Sequence, residues 1–296
     1  MDPSHQSLLL ALMATFIFAS SSIYFSKFST RFGSIWTNGW RSFLTYPILV
    51  GLVFLWGGFH DISTTSIISF LVSGLVGFVI GDYFLLKAFA TIGPARTLTV
   101  FGIQPFFMAV FSYLTLDQEI NYLHIVAFLF MFMCLFLQNY DQYRIDRKWN
   151  MAGIALAVIG VLLDSTGVLL TRYGFENSPE VTMIEGQFYR GSIAMFIYII
   201  LFFFFDFNFL PKFVKLSSKD KFEVFASCVA GTLIALLLYL AAVKVGHLSS
   251  LSAIAITGPL FTSFIQAIVF KKPITKLMIF SYLFFIAGVV VLFKLG

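Results

Sequence analysis

Long apolar runs separated by short polar turns fill almost the whole chain. Ten runs can be marked, at 7–28, 36–56, 66–90, 94–116, 121–138, 151–171, 183–205, 223–243, 249–270 and 275–293. Several approach the roughly 20 residues that an α-helix needs to cross hydrocarbon, and they are not the ten-residue alternating segments of membrane β-strands. The pattern predicts an all-α integral membrane protein with ten transmembrane helices.

The pattern of the first half returns, more weakly, in the second. Residues 93–119 and 246–273 each begin at a glycine in a polar turn and continue as an apolar run. Each run contains glycine and proline near its middle, namely Gly102 with Pro105 and Gly258 with Pro259. Proline breaks the helical hydrogen-bond ladder, and lipid cannot satisfy the freed carbonyl. Matching breaks in two halves indicate a transporter's binding site, and the alternative is a kink that serves packing.

A second correspondence lies in the second and seventh runs. Trp40-Arg41 occurs early in one, and Tyr189-Arg190 occurs early in the other. Each unit has an odd number of runs, so its copy must enter the membrane from the opposite side. We therefore expect two inverted five-helix repeats, residues 1–140 and 151–296, joined by a polar linker at 141–150.

Composition excludes a water-soluble domain, because 59% of the residues are hydrophobic, 11% are charged and 39 are phenylalanine. The net charge of +5 could suggest nucleic acid, but the basic residues fall in short turns, where membrane orientation explains them. Cys134 and Cys228 each sit alone in apolar runs, so we expect no disulfide, metal or cofactor. No Lys or Arg precedes the first run, which is typical of a retained helix rather than a signal peptide.

At this point the chain resembles the drug/metabolite transporter superfamily, in its ten-span form with two EamA-like halves. The resemblance rests on the five-plus-five layout, on Pro105 and Pro259, and on the acidic turn Asp117-Gln118-Glu119. The second half departs from it with Lys271-Lys272-Pro273 where a glutamate is expected. The resemblance implies a substrate cavity framed by spans 1 to 4 and 6 to 9, with spans 5 and 10 peripheral.

Two arguments on orientation disagree. Apart from Arg41 and Arg190 inside the runs, nearly all Lys and Arg fall in the turns after the odd-numbered runs, and only Arg172, Lys244 and Lys294 lie on the other side. Positive charge favours the cytoplasmic side, which would leave both termini outside. The family resemblance implies both termini inside.

Five charged residues fall within the apolar runs: Arg41, Asp82, Asp164, Glu185 and Arg190. A charge near the bilayer centre costs at least a few kcal/mol on insertion scales, so each needs a partner, a wet cavity or a function. Arg41 and Arg190 are candidates for binding an anionic group. Asp164, midway along its run, and Asp82 are candidates for proton coupling. The alternative is that the two aspartates permanently neutralise the two arginines.

Neutral polar and aromatic residues near these charges complete the candidate binding set. Gln104 precedes Pro105, and Gln187 lies near Arg190. The aromatic residues Trp36, Trp40, Tyr83, Tyr189 and Tyr239 could stack on a substrate, although aromatic residues also populate membrane interfaces.

Together these features predict a secondary active transporter of a small organic metabolite, amino-acid-like or anionic, that works by alternating access, with Asp164 and Asp82 as its candidates for proton coupling. A lipid or lipid-linked-metabolite flippase of the same fold is the rival hypothesis. An intramembrane aspartyl protease fits less well, because Val79 replaces the first glycine of its GxGD motif. No nucleotide loop or hydrolase motif is present, so no enzyme is expected. We expect a monomer or homodimer in a bacterial inner membrane, in contact with lipid and without nucleic acid.

Overall fold

Apolar sequence folds here into helices, which satisfy every backbone polar group within the segment and so tolerate lipid. The computed structural model describes residues 3–116, 121–146, 150–255, 257–269 and 275–293, and within these ranges it contains helices and no strands. The turns Asp117-Gln118-Glu119 and Lys271-Lys272-Pro273 lie outside the described residues. The helices of the first half are α1 (Pro3–Phe32), α2 (Ser34–Leu55), α3 (Thr64–Ser73), α4 (Asp82–Ile92), α5 (Pro94–Val100), α6 (Gln104–Leu116) and α7 (Tyr122–Asp146).

The second half repeats this order of long and broken helices. Its helices are α8 (Met151–Asn177), α9 (Met183–Phe204), α10 (Phe209–Val214), α11 (Ser218–Cys228), α12 (Ala235–Val245), α13 (Leu248–Ala255), α14 (Gly258–Val269) and α15 (Lys276–Phe293). The helix α7 continues through Asp146. Most of the interval predicted as a linker is therefore helical, because its polar residues end the apolar run but include no glycine or proline that would end the helix.

Six helical segments in the described part of the chain are long and apolar enough to cross a membrane. They are His5–Phe32, Thr64–Ile92, Pro94–Thr115, Met151–Asn177, Met183–Phe204 and Ser218–Val245. Shorter apolar helices occur at Ile125–Cys134, Ser250–Ile265 and Ile279–Gly288. The fold is that of an integral membrane protein.

The third long segment of each half contains a stretch of π-helix. Gly74–Gly81 joins α3 to α4, and Val229–Ile234 joins α11 to α12. A π-helical turn holds one more residue than an α-helical turn, is rare, and occurs frequently at functional sites. The two stretches lie in corresponding places of the two halves, beside the charged residues discussed below.

Glycines let the first π-helical stretch pack directly on its neighbours. A Cβ atom built on Gly167 of α8 would lie 3.0 Å from the Cα atom of Gly77. One built on Gly74 would lie only 2.2 Å from the backbone oxygen of Arg190 in α9. The backbone of α9 therefore lies against the π-helix at a distance that only glycine permits.

We expect Gly74→Ala to destabilise the protein by about 1–3 kcal/mol, because the added methyl must displace the α9 backbone rather than a flexible side chain. Gly51→Ala is the matched control, since a Cβ atom there meets nothing within 4 Å. The control should be neutral or slightly stabilising, because alanine favours helix. The midpoint of thermal unfolding in detergent measures both changes, and equal midpoints for the two variants would contradict the prediction.

Candidate functional site

A cavity with about 820 Å³ of empty volume, including its open mouth, lies among the helices. Its described walls come from the helices predicted as spans 1 to 4 and 6 to 9, and the described side chains of α7 and α15 are not among its lining residues. This is the arrangement that the family resemblance implies. The lining residues are Ala14, Thr15, Phe18, Arg41, Gly77, Phe78, Asp82, Leu85, Leu98, Phe101, Gln104, Asp164, Arg190, Ala235, Leu236, Tyr239 and Gly258.

Four of the five charged residues predicted within the runs meet in this cavity as two arginines and two aspartates. The Nη1 atom of Arg41 lies 2.8 Å from the Oδ2 atom of Asp82, in a salt bridge whose arginine side chain is 1% exposed. Arg41 also donates from Nε to the Thr232 hydroxyl at 2.8 Å and from Nη1 to the Asn38 side-chain oxygen at 3.1 Å. These contacts distribute its charge over three protein acceptors.

Aromatic rings complete the enclosure of Arg41. Its guanidinium carbon lies 4.8 Å from the centre of the Phe25 ring and 5.3 Å from the centre of the Phe78 ring. Stacking of this kind adds a favourable cation–π interaction where water is excluded. The protein therefore supplies acceptors for Nε and Nη1 of Arg41 and fixes the plane of its guanidinium group.

Arg190 is held far less completely, although it too is buried. Its one hydrogen bond runs from Nη1 to the Gln187 side-chain oxygen at 3.5 Å. Its Nε atom is buried without a partner, and no carboxylate of the described residues lies within salt-bridge distance of it. Asp164 and Asp82 act on it only through longer-range attraction. Arg190 thus lines the cavity and leaves one buried donor, Nε, without an acceptor.

The two arginines each contact the π-helical stretch of the opposite half. Arg41, from the first half, donates to Thr232 within Val229–Ile234. Arg190, from the second half, lies beside Gly77 within Gly74–Gly81, where an added Cβ would be 3.8 Å from Nη2. The two contacts occupy corresponding places, but Arg41 has a salt bridge to Asp82, whereas Arg190 has no salt bridge among the described residues.

Asp164 lies midway along α8 and lines the cavity. Its Oδ2 atom accepts a hydrogen bond of 2.7 Å from Nε2 of Gln104. Asp82 repels its charge and Arg190 attracts it. In the described part of the chain it forms no salt bridge, so a neutral amide rather than a cation orients this carboxyl group.

The remaining wall of the cavity is mostly apolar. Three phenylalanine rings line it, together with small residues such as Ala14 and Gly258. Tyr239 adds a hydroxyl group in the electrostatic range of both Arg190 and Asp164. An apolar cavity with a few polar groups is the usual form of a small-molecule site.

The structure places the other predicted contact residues outside the cavity lining. Trp40 stacks on Phe213 with ring centres 3.9 Å apart, and Tyr189 stacks on Phe70. Tyr83 lies edge-on to the neighbouring Phe84 ring. These residues directly precede or follow a charged cavity residue, and successive helical side chains point about 100° apart, so they face other helices.

The remaining sequence candidates are one buried amide and two prolines near the starts of helices. Gln187 is buried and accepts from Arg190, as described above. Pro105 is the second residue of α6, and Pro259 is the second residue of α14. The first N–H groups of a helix have no partner within the helix, so the N–H group that proline lacks is not needed there. In the first half a short 3₁₀ turn, Phe101–Ile103, precedes the proline and brings Phe101 and Gln104 to the cavity.

Glu185, the fifth charged residue within the runs, lies outside the cavity and at the start of α9. It forms a capping box with Thr182, and its Oε1 atom accepts from the His60 backbone N–H at 2.6 Å. Its Oε2 atom lies 3.0 Å from Nδ1 of His60. These bonds fasten the loop that follows α2, so the carboxylate has a structural role.

Sequence reasoning missed two polar partners of Arg41, namely Asn38 and Thr232. Asn38 had a usable signal, because an amide stands three residues before the arginine in both halves, as Asn38 before Arg41 and Gln187 before Arg190. Residues three apart share a helix face, so each amide can reach its arginine. Thr232 carried no such signal among the many hydroxyl residues of the chain.

The fold and the charged cavity define the class of protein: a helical membrane transporter. The profile of the EamA-like transporter family matches residues 5–140 and 151–294, one repeat in each half, and the chain belongs to this family within the drug/metabolite transporter superfamily. Members of the family are transporters, not enzymes. No curated protein matches the chain. One solved crystal structure of a protein matches 99% of this chain and 98% of its own, with a TM-score of 0.76 and 12% identity, which shows similarity of fold.

Proposed function

We propose that the protein is a secondary active transporter that carries a small organic metabolite with an anionic group, whether amino-acid-like or purely anionic. The observation that carries this proposal is that Arg190, a buried residue of the cavity lining, leaves its Nε without an acceptor and has no salt bridge among the described residues. Leaving a buried charged donor unsatisfied is costly, and a carboxylate or similar anion would supply the missing acceptors.

We further propose ten transmembrane helices in two inverted repeats, which move against each other to expose the cavity to either side. The reciprocal contacts support this mechanism, because each half holds its arginine against the π-helical stretch of the other. Inverted repeats can exchange conformations during transport. In that exchange Arg190 would gain the protein acceptors that Arg41 has in this structure, and Arg41 would lose its own.

Proton coupling through Asp164 belongs to the same proposal. The carboxyl group faces the cavity, sits midway along its helix, and is held by an amide that can bind either its charged or its neutral form. Carboxyl groups inside membranes commonly serve as proton relays. A proton taken up on one side would then be released when the cavity opens to the other.

Transport by proteoliposomes tests the function directly. The purified protein is reconstituted, supplied with a defined mixture of amino acids, organic anions, sugars and organic cations, and assayed with and without a pH gradient. We expect an anionic or zwitterionic compound to accumulate. Transport of cations or neutral sugars alone would contradict the proposal, and scrambling of fluorescent phospholipid without metabolite uptake would favour the flippase.

We expect Arg190→Gln to weaken binding of the transported compound by about tenfold to a hundredfold, the loss that follows when one charge-assisted hydrogen bond of about 1.5–3 kcal/mol is removed. Arg190→Lys should recover only part of this affinity, because lysine lacks the planar fork. Arg31→Gln is the matched control, since Arg31 is exposed and pairs with Asp220 outside the cavity. Binding affinity and folded yield are measured together. A lower folded yield with unchanged affinity would assign Arg190 a structural role.

A further inference from the structure

The segment between α9 and the middle of α11 exposes apolar side chains beside lysines. Leu210, Val214 and Phe222 are 51%, 62% and 69% exposed. Lys215 and Lys219, within the same stretch, are also exposed. In a membrane protein this combination is typical of the interface, where apolar groups enter the acyl region and lysines remain near the headgroups.

The short helix α10 is fixed firmly enough to present these groups in one place. Trp36 and Trp40 both donate from Nε1 to the backbone oxygen of Phe209, at 3.1 and 3.4 Å. Phe209 itself is 2% exposed, and Phe213 stacks on Trp40. One face of α10 is therefore buried in the protein, and the face that carries Leu210 and Val214 is directed outward.

The acidic residues of α11 do not cancel the positive charge of its lysines. Asp220 is bound by Lys27 at 2.6 Å and by Arg31 at 3.1 Å, and Glu223 is bound by Lys27 at 2.5 Å. These carboxylates are already neutralised by cations from α1. The exposed Asp206, which begins the segment, is the remaining acid of this stretch.

Lys215, Lys219 and Lys221 have no acceptor within the ranges that the structure describes. The contrast with the opposite end of the helices is clear. There Arg172 donates to the backbone oxygen of Val243 at 2.8 Å, and Lys244 donates to that of Val181 at 2.9 Å. Arg172 and Lys244 at that end are used internally, as is Lys212 of α10 through the Phe207 backbone oxygen, whereas Lys215 and Lys219 are available to an external anion.

We propose that the surface formed by Leu210, Val214, Lys215 and Lys219 binds the headgroup of an anionic phospholipid. The lysines contact the lipid phosphate, and the two apolar side chains contact its acyl chains. Charge complementarity selects an anionic over a zwitterionic headgroup, because lysines near the membrane surface are attracted to anionic lipid. The surface then lies in the leaflet that is richer in anionic lipid. This placement agrees with the orientation of the chain that the distribution of Lys and Arg predicts.

The test compares lipids on the purified full-length chain in neutral detergent. Phosphatidylglycerol and phosphatidylcholine with identical acyl chains are added separately, and the thermal unfolding midpoint is recorded. We expect a larger upward shift with phosphatidylglycerol, since a ligand that binds the folded state stabilises it, and a smaller difference at high salt. Equal shifts with the two lipids would overturn the proposal.

Variants locate the effect. The double variant Lys215→Gln/Lys219→Gln should lose at least half of the shift that is specific to phosphatidylglycerol, and Lys215→Arg/Lys219→Arg should retain it. The double variant Lys87→Gln/Lys276→Gln removes the same charge from other exposed positions and should also retain it. Full retention in the first variant, or equal loss in the last, would show that no lipid site exists on this surface.

Discussion

Replacing Asp82 by asparagine is expected to lower the free energy of unfolding by on the order of 3–5 kcal/mol, because it removes one partner of a buried ion pair and leaves the other uncompensated. Arg41 is 1% exposed and cannot reach water to recover its hydration. Its bonds to Asn38 and Thr232 satisfy donors but supply no negative charge. The loss should appear as a lower thermal unfolding midpoint and a lower folded yield in detergent.

Two further variants separate this pair from a general effect of the substitution. Asp61→Asn changes an exposed aspartate in the loop after α2 and should leave stability unchanged. Arg41→Met/Asp82→Leu removes both charges and should be more stable than Asp82→Asn alone, since a well-packed apolar pair can replace a buried ion pair. A stable Asp82→Asn protein would mean that Arg41 finds another anion in the cavity.

The sequence was sufficient to predict the membrane helices and most of the charged cluster. Apolar runs of helical length leave few alternatives in lipid. Arg41, Asp82, Asp164 and Arg190 could be selected because a charge inside a span is too costly to be incidental. Gln104 could be selected because it adjoins a proline break, and the structure places it on Asp164.

The pairing within that cluster could not be predicted. The sequence offers no reason to pair either aspartate with one arginine rather than the other. In the structure Asp82 forms a salt bridge with Arg41, and no carboxylate of the described residues lies within salt-bridge distance of Arg190. The π-helical stretches explain part of this choice. An extra residue in the turn shifts the following helix face, so the register of Asp82 relative to Gly77 cannot be read from a regular 3.6-residue period.

The aromatic candidates show a different limit. Trp40 and Tyr189 were paired with the arginines by repeat position, but adjacent helical residues point in different directions. Their role as substrate contacts stays a prediction, and the structure gives them aromatic neighbours instead. Tyr239, four residues after Ala235 on the same helix face, lines the cavity beside Arg190 and Asp164.

Asp164→Asn is expected to abolish uptake driven by a pH gradient while substrate exchange at equal pH continues. Exchange needs no net proton step, whereas gradient-driven accumulation needs a group that binds and releases a proton in each cycle. One pH unit is worth about 1.4 kcal/mol, or roughly tenfold accumulation for one coupled proton. The variant should therefore reach only the internal concentration found without a gradient.

The variant should fold, because asparagine keeps a side-chain oxygen that accepts the Gln104 hydrogen bond. This distinguishes Asp164 from Asp82, whose charge is required by Arg41. Asp164→Glu is the matched control: it restores a titratable group and should recover some gradient-driven uptake. A folded Asp164→Asn protein with full gradient-driven uptake would refute the proton-coupling role. A poorly folded one would indicate that the longer-range attraction between Asp164 and Arg190 stabilises the resting protein, and exchange measured on the surviving folded fraction would still show whether proton coupling had been lost.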